Sequence, residues 1–198
     1  MSVTLITSKY GEDKYKYRSN ILDTRLIQYF NNFYRAQSLI IPIQRTEFLD
    51  LNKIRISRII ISGGLDIKSR KVDDILRLRL EKFLIKYAIK KNIPLLGICS
   101  GMQVICNLYN IKISKIKKHV CRKHRIIINS KKNIIRNSFH NYGILKKDLK
   151  SNFKILGLAN DSSVEAVKMK KNKIYGIMWH PERQGFELFK SDMKLLNF

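Results

Sequence analysis

Pro94-Leu95-Leu96-Gly97-Ile98-Cys99-Ser100-Gly101-Met102-Gln103 decides the fold. An apolar run passes into a cysteine framed by glycines, and a helix begins directly after it. This is the pattern of a strand-to-helix elbow with a thiol at its tip. A nucleophile at such a turn sits in strained backbone, and Gly97 and Gly101 leave the helix room to pack against the strand. The first free amides of the helix point at the sulfur. Together with the helix dipole they favour a thiolate, and they can also bind the oxyanion of an acyl-transfer intermediate. A cysteine after an apolar strand is ordinarily a small buried hydrophobe. The glycine frame sets Cys99 apart, whereas Cys106, two helical turns further on, is expected to pack in the core.

Outward from the elbow, apolar runs bounded by turn residues alternate with helical patterns, which predicts an α/β fold with a mostly parallel central sheet flanked by helices. Val3 to Thr7, Leu39 to Ile43, Arg58 to Ser62 and Leu95 to Cys99 are the expected central strands. Helices are expected around Ile21 to Arg35 and over Val72 to Lys91, the latter presenting Leu76, Leu80, Phe83, Leu84 and Tyr87 on one face. The second half turns β-rich, with strands at Arg125 to Asn129, Lys154 to Ala159, Val164 to Met169 and Ile174 to Trp179. A helix over Phe186 to Leu196 follows. No linker, repeat or low-complexity segment divides the chain.

Two further segments bear on the elbow. Ile174-Tyr175-Gly176-Ile177-Met178-Trp179-His180-Pro181-Glu182 is an apolar strand ending in a histidine and a carboxylate two residues apart. Pro181 favours an extended His180, and residues i and i+2 of an extended chain return to one side, so Glu182 can hold the His180 ring while its other nitrogen faces Cys99. Cysteine, histidine and glutamate are the parts of a nucleophile, base and orienter set. Arg58 to Asp66 contains a strand ending in Gly63-Gly64, where the Gly64 amide can join the Ser100 amide as an oxyanion donor.

Gly97 to Gln103, His180-Pro181-Glu182 and Ser62-Gly63-Gly64-Leu65-Asp66 resemble the class I glutamine amidotransferase family. Arg77 to Glu81, Asn137 to Ile144 and Ala159 to Val167 make the chain most similar to its γ-glutamyl hydrolase branch. The resemblance runs from the first strand to His180-Pro181-Glu182 and implies a flavodoxin-like sheet. It also implies a γ-glutamyl thioester on Cys99, and substrate contacts from Gly63, Gln103, His140 and Asn141. No metal and no cofactor are implied. Ser100 stands where that branch usually has arginine, and His140-Asn141-Tyr142 where it usually has histidine-x-glutamine, so the group attached to the γ-glutamyl carbonyl stays open. One expectation is a free-standing hydrolase of a γ-glutamyl amine or a γ-glutamyl nucleotide amidate. The alternative is the glutaminase subunit of a two-chain amidotransferase that passes ammonia to a partner synthase. A third, of another class, is a non-catalytic binding module.

The 198 residues fit a single domain, 1–198, with no room for an appended synthase module. Met1 to Thr7 reads as a first strand rather than a signal peptide, and no apolar run approaches a membrane span. Three cysteines, at 99, 106 and 121, make no disulfide framework and point to the cytoplasm. A net charge of +25 would ordinarily suggest nucleic acid, but the basic residues are scattered and carry no nucleic-acid motif. The abundance of Lys, Ile and Asn is a bias of the whole chain. The positive field fits a small anionic substrate better. His119, Cys121 and His124 crowd metal-ligand types together, yet a closed zinc site needs four ligands and no second cluster is visible in the sequence, so they read as a basic loop entering a strand.

Overall fold

The computed structural model describes residues 2–42 and 45–198. In chain order the elements are β1 (Val3–Thr7), β2 (Lys9–Glu12), β3 (Arg18–Ile21), α1 (Thr24–Tyr34), β4 (Ser38–Ile41), β5 (Ile56–Ile61), α2 (Val72–Lys91) and β6 (Leu95–Ile98). They continue with α3 (Ser100–Leu108), β7 (Ser114–Lys115), β8 (Arg122–Ile128), β9 (Lys132–Ser138), β10 (Tyr142–Leu145), β11 (Phe153–Ala159), β12 (Ser163–Met169), β13 (Ile174–Ile177) and α4 (Phe186–Leu196).

The main sheet runs β4-β1-β5-β6-β13-β12-β11-β8-β9. The first five strands pair in parallel, and their spatial order, counted along the chain, is 2-1-3-4-5, the flavodoxin-like order. From β13 onward the pairing is antiparallel, so the β-rich second half extends the same sheet. The parallel strands read as near-continuous apolar runs because both faces are covered. α1 and α4 cover one face through Leu26, Phe30, Phe189 and Met193, and α2 and α3 cover the other through Leu80, Leu84, Ile85, Val104 and Ile105. Cys106 is fully buried in that second layer.

Several sequence expectations are corrected. Ile21 belongs to β3, and α1 starts only at Thr24, where the Asp23 side chain accepts from the Arg25 amide at 3.0 Å. The hairpin of β2 and β3 has no apolar alternation; its turn is instead set by Asp13, which accepts from the Tyr15 and Tyr17 amides. The strand expected at Leu39 to Ile43 begins at Ser38 and is described to Ile41; Ile43, like Met1, lies outside the described residues. The buried face of α2 is Arg77, Leu80, Glu81, Leu84, Ile85 and Ala88, with Leu76, Phe83 and Tyr87 at its margins. Burial of the Arg77–Glu81 ion pair (Nε to Oε1, 2.7 Å) accounts for this rotation. Apolar periodicity cannot register a charged pair on the inner face. No helix among the described residues is long and apolar enough to cross a membrane.

Candidate active site

The elbow forms at the carboxyl end of β6, where open α/β sheets place their ligands. Cys99 takes φ 53° and ψ −107°, a strained conformation for a side chain with a Cβ. The surrounding packing enforces it. A Cβ at Gly97 would lie 2.6 Å from the Gly101 carbonyl carbon, and one at Gly101 would lie 2.5 Å from the Ile61 oxygen. Both glycines therefore let α3 lie directly on β6 and β5, and α3 in turn locks the elbow.

Strand β13 sits beside β6, with Ile177 opposite Ile98, and delivers His180 next to Cys99. Proline opens the one-turn 3-10 helix Pro181–Arg183, which swings Glu182 back so that its Oε1 lies 2.7 Å from His180 Nδ1. A carboxylate only accepts, so Nδ1 carries the proton and Nε2 presents a lone pair. That edge of the ring faces Gly63: a Cβ there would lie 2.7 Å from His180 Cε1, 3.4 Å from Nε2 and 3.4 Å from the Cys99 Cβ. Burial pushes the Cys99 thiol up to about 12, against the Ser100 backbone amide, which favours the anion. Loss of water outweighs the helix-end amide that favours the thiolate, so the geometry suits activation of Cys99 by a neighbouring base.

Asn137 fixes His180. Its Oδ1 accepts from the His180 amide and its Nδ2 donates to the His180 carbonyl, each at 2.8 Å. Arg77 does the same for the glycine strand, donating through Nη2 to the Ser62 carbonyl at 2.7 Å and the Gly63 carbonyl at 3.1 Å. Sequence reasoning gave neither residue a role, although both lie in segments that carry the family resemblance. Ser100 Oγ accepts from the Leu65 amide at 2.9 Å and ties the second glycine turn to the elbow. Gly64 adopts φ +92°, which glycine alone takes without strain.

Two clefts meet at Cys99. One, about 340 Å³, is walled by Asp66, Gln103, His140, Asn141 and Tyr142. The other, about 370 Å³, lies on the His180 side and is walled by Lys9, Asp23, Leu26 and Arg183. Phe139 borders both, and its ring lies edge-on to His180 with centroids 5.8 Å apart and carries the Arg183 guanidinium at 4.8 Å. Gln103 and His140 reach the first cleft, but both donate to the Tyr142 carbonyl, at 2.8 Å from Gln103 Nε2 and 3.1 Å from His140 Nδ1. Asn141 is exposed at the rim. Trp179 is fully buried and donates to Asp192 at 2.7 Å, which makes it core rather than pocket wall.

The structure revises the reading of His119, Cys121 and His124. Cys121 is exposed, but His119 and His124 converge on Glu165 of β12, a partner remote in sequence. Burial keeps His119 below the usual imidazole range.

A thiol on a strand elbow, beside a histidine–carboxylate pair just beyond the neighbouring parallel strand, is an arrangement suited to acyl-transfer chemistry. Residues 22–189 match the class-I glutamine amidotransferase family, and the chain belongs to that family. Among its relatives, the γ-glutamyl-CDP-amidate hydrolase of Campylobacter jejuni is 40% identical over 131 residues, a match that spans just under two thirds of each protein, 65% of this chain and 64% of that one. A glutamine-hydrolysing GMP synthase component of Methanococcus aeolicus is 30% identical over 150 residues, covering 71% of this chain and 74% of that one. A glutamine amidotransferase structure from Thermotoga maritima superposes with a TM-score of 0.68 at 15% identity, covering 98% of this chain and 84% of that one. The last comparison speaks to the fold alone.

Proposed function

We propose that the protein hydrolyses the γ-glutamyl amide bond of an anionic conjugate, a γ-glutamyl nucleotide amidate, through a thioester on Cys99. The observation that carries the reading is the cleft on the His180 side of Cys99. It provides two cations, Lys9 and Arg183, the latter stacked on the Phe139 ring, beside Asp23, which is already paired with Arg25, where a leaving group would lie. A guanidinium and an ammonium suit phosphate oxygens. The 40% identity to a γ-glutamyl-CDP-amidate hydrolase supports the same leaving group.

The γ-glutamyl part occupies the cleft of Gln103 and Asn141, with its carbonyl over Cys99. His180 Nε2 takes the thiol proton as Sγ adds to the carbonyl carbon, and Glu182 stabilises the imidazolium that results. The Ser100 and Gly64 amides hold the oxyanion, each donor of this kind contributing about 2.7–4 kcal/mol in the transition state. When the intermediate collapses, the C–N bond breaks and His180 returns the proton to the departing nitrogen. His180 then deprotonates a water, which adds to the thioester; the C–S bond breaks, glutamate leaves and the Cys99 thiol is restored.

A second reading, a glutaminase subunit feeding a partner synthase, is supported by the GMP synthase relative. Glutamate release by the isolated chain separates the two. γ-Glutamyl-CDP-amidate, γ-glutamyl amines and glutamine are compared at low and high salt, with Cys99→Ala as control. The proposal expects turnover of the amidate far above glutamine, weakened by salt and abolished in Cys99→Ala. Equal or better turnover of glutamine, or silence until a synthase is added, would overturn it in favour of the second reading.

A further inference from the structure

The histidine–glutamate cluster plays no part in the chemistry above. Glu165 lies in the middle of β12 with no exposed surface; its Oε1 accepts from Ser163 Oγ at 3.0 Å. Oε2 has no hydrogen-bond partner among the described residues, although it is wholly cut off from solvent. His124 Nε2, 3.3 Å away, is also buried and without a hydrogen bond there, and His140 Nε2 is 3.6 Å away. On the other side His119 Nδ1 lies 3.6 Å from Glu165 Oε1 and 3.4 Å from His140 Nε2.

The outer ring nitrogens fix what the inner ones present. His119 Nε2 lies 2.9 Å from Asp161 Oδ2, and His140 Nδ1 lies 3.1 Å from the Tyr142 carbonyl. Both partners only accept, so these outer nitrogens carry the protons. The inner nitrogens, His119 Nδ1 and His140 Nε2, then turn lone pairs toward one another and toward a buried carboxylate. Unshared pairs at such separations in a closed site need a positive centre between them, either a shared proton or a metal ion. A histidine held by a carboxylate or a carbonyl on its far nitrogen is the arrangement that orients imidazole on a metal.

We propose that His119, His124, His140 and Glu165 bind one divalent transition-metal ion, of which zinc is the best match. Ligand atoms around a tetrahedral zinc with bonds of about 2.0–2.1 Å are spaced about 3.4 Å from one another. His124 and His140 lie 3.3 and 3.6 Å from Glu165 Oε2, His119 lies 3.6 Å from Oε1 and 3.4 Å from His140, and the ligand atoms of His119, His124 and Glu165 all fall within 4.8 Å, so a modest inward shift closes the set on one ion. Three imidazoles and one carboxylate suit zinc, cobalt or nickel, and offer too few oxygens for calcium or magnesium. The ligands come from the loop before β8, from β8, from the β9–β10 connection and from β12. The ion joins four segments that the chain supplies separately and anchors the wall bearing His140, Asn141 and Tyr142 beside Cys99. Its role is therefore to hold that wall, and it does not depend on which γ-glutamyl substrate the cleft takes.

The test uses full-length, untagged protein, stripped with a chelator, incubated with zinc or cobalt and passed through a desalting column. One ion per chain is expected, with the visible bands of four-coordinate cobalt and a higher thermal midpoint. Asp161→Asn, which changes the outer partner of His119, should weaken zinc binding about 10–100-fold. His124→Ala, at the more accessible edge, and Glu165→Gln should abolish the cobalt bands, while Cys99→Ala retains them. A stripped wild-type chain that retains no ion after desalting would overturn the proposal and leave the cluster as a proton-sharing network. So would cobalt bands that survive in folded His124→Ala, since the ion would then sit elsewhere.

Discussion

Gly63→Ala adds one methyl group at the point where His180 and Cys99 face each other. The Gly63 φ lies outside the left-handed region, so alanine meets no backbone penalty and the effect is purely one of contact. The new Cβ would sit 2.7 Å from His180 Cε1 and 3.4 Å from both His180 Nε2 and the Cys99 Cβ. Carbon atoms in contact rest about 3.5–4.0 Å apart, so the ring must retreat by close to 1 Å. Asn137 clamps the backbone of His180 on both sides and Glu182 holds Nδ1, so the ring moves by turning away from Cys99. A misplacement of that size costs about 10²-fold in rate, equivalent to about 2.7 kcal/mol of barrier. The assay is kcat for glutamate release with the best γ-glutamyl substrate, alongside a thermal melt. A fall of about a hundredfold with little change in melting is expected. A Gly63→Ala protein that turns over at nearly the wild-type rate would refute the placement of His180 against Cys99.

Asn137→Ala strips the His180 amide and carbonyl of their buried partners. It should cost about 1–3 kcal/mol in chemical denaturation, together with a marked drop in kcat; retention of both would show that the clamp is idle. Arg77→Met leaves Glu81 charged or protonated without its partner in a fully buried site, and should destabilise by about 3–5 kcal/mol. Arg77→Met combined with Glu81→Leu should recover much of that loss, and a single variant that melts like wild type would refute the account. Burial also pushes the Cys106 thiol from its ordinary 9.0 up to about 12. The folded state thus prefers the protonated thiol. Its contribution is complete below about pH 9 and declines as pH rises toward about 12, by about 1.4 kcal/mol per pH unit. Cys106→Ala should flatten the alkaline limb of a stability-versus-pH curve by about that slope, and an unchanged limb would refute it.

Much of the parallel half was legible because strands covered on both faces must be uninterrupted apolar runs, and Ile59 to Ile61 and Leu95 to Ile98 could be little else. The elbow was legible because the close seat of α3 on β5 and β6 leaves room only for glycine at 97 and 101. The hairpin of β2 and β3 was not, since its strands bury little and show no binary pattern. Strand β9 was missed for a related reason. Lys132 to Ser138 reads as polar, but its inner positions include Arg136, which reaches buried Asp192 at 2.7 Å. A local apolar count overlooks a charge whose partner lies on α4. The same limit hid the gathering at Glu165: His119 and His124 stood out as neighbours, but His140 and Glu165 come from distant segments and leave no local spacing to read.

The neighbour relation between β6 and β13 also has a consequence in time. Cys99 emerges from the ribosome with β6, but His180 follows only after β13, which must slot between β6 and β12. Contacts so distant in sequence form late in folding, because the loop they close is long. Until that insertion a nascent chain carries Cys99 with His180 far from it. Under the proposed mechanism, the protein therefore gains its reactive pair in the same event that joins the parallel and antiparallel parts of its sheet.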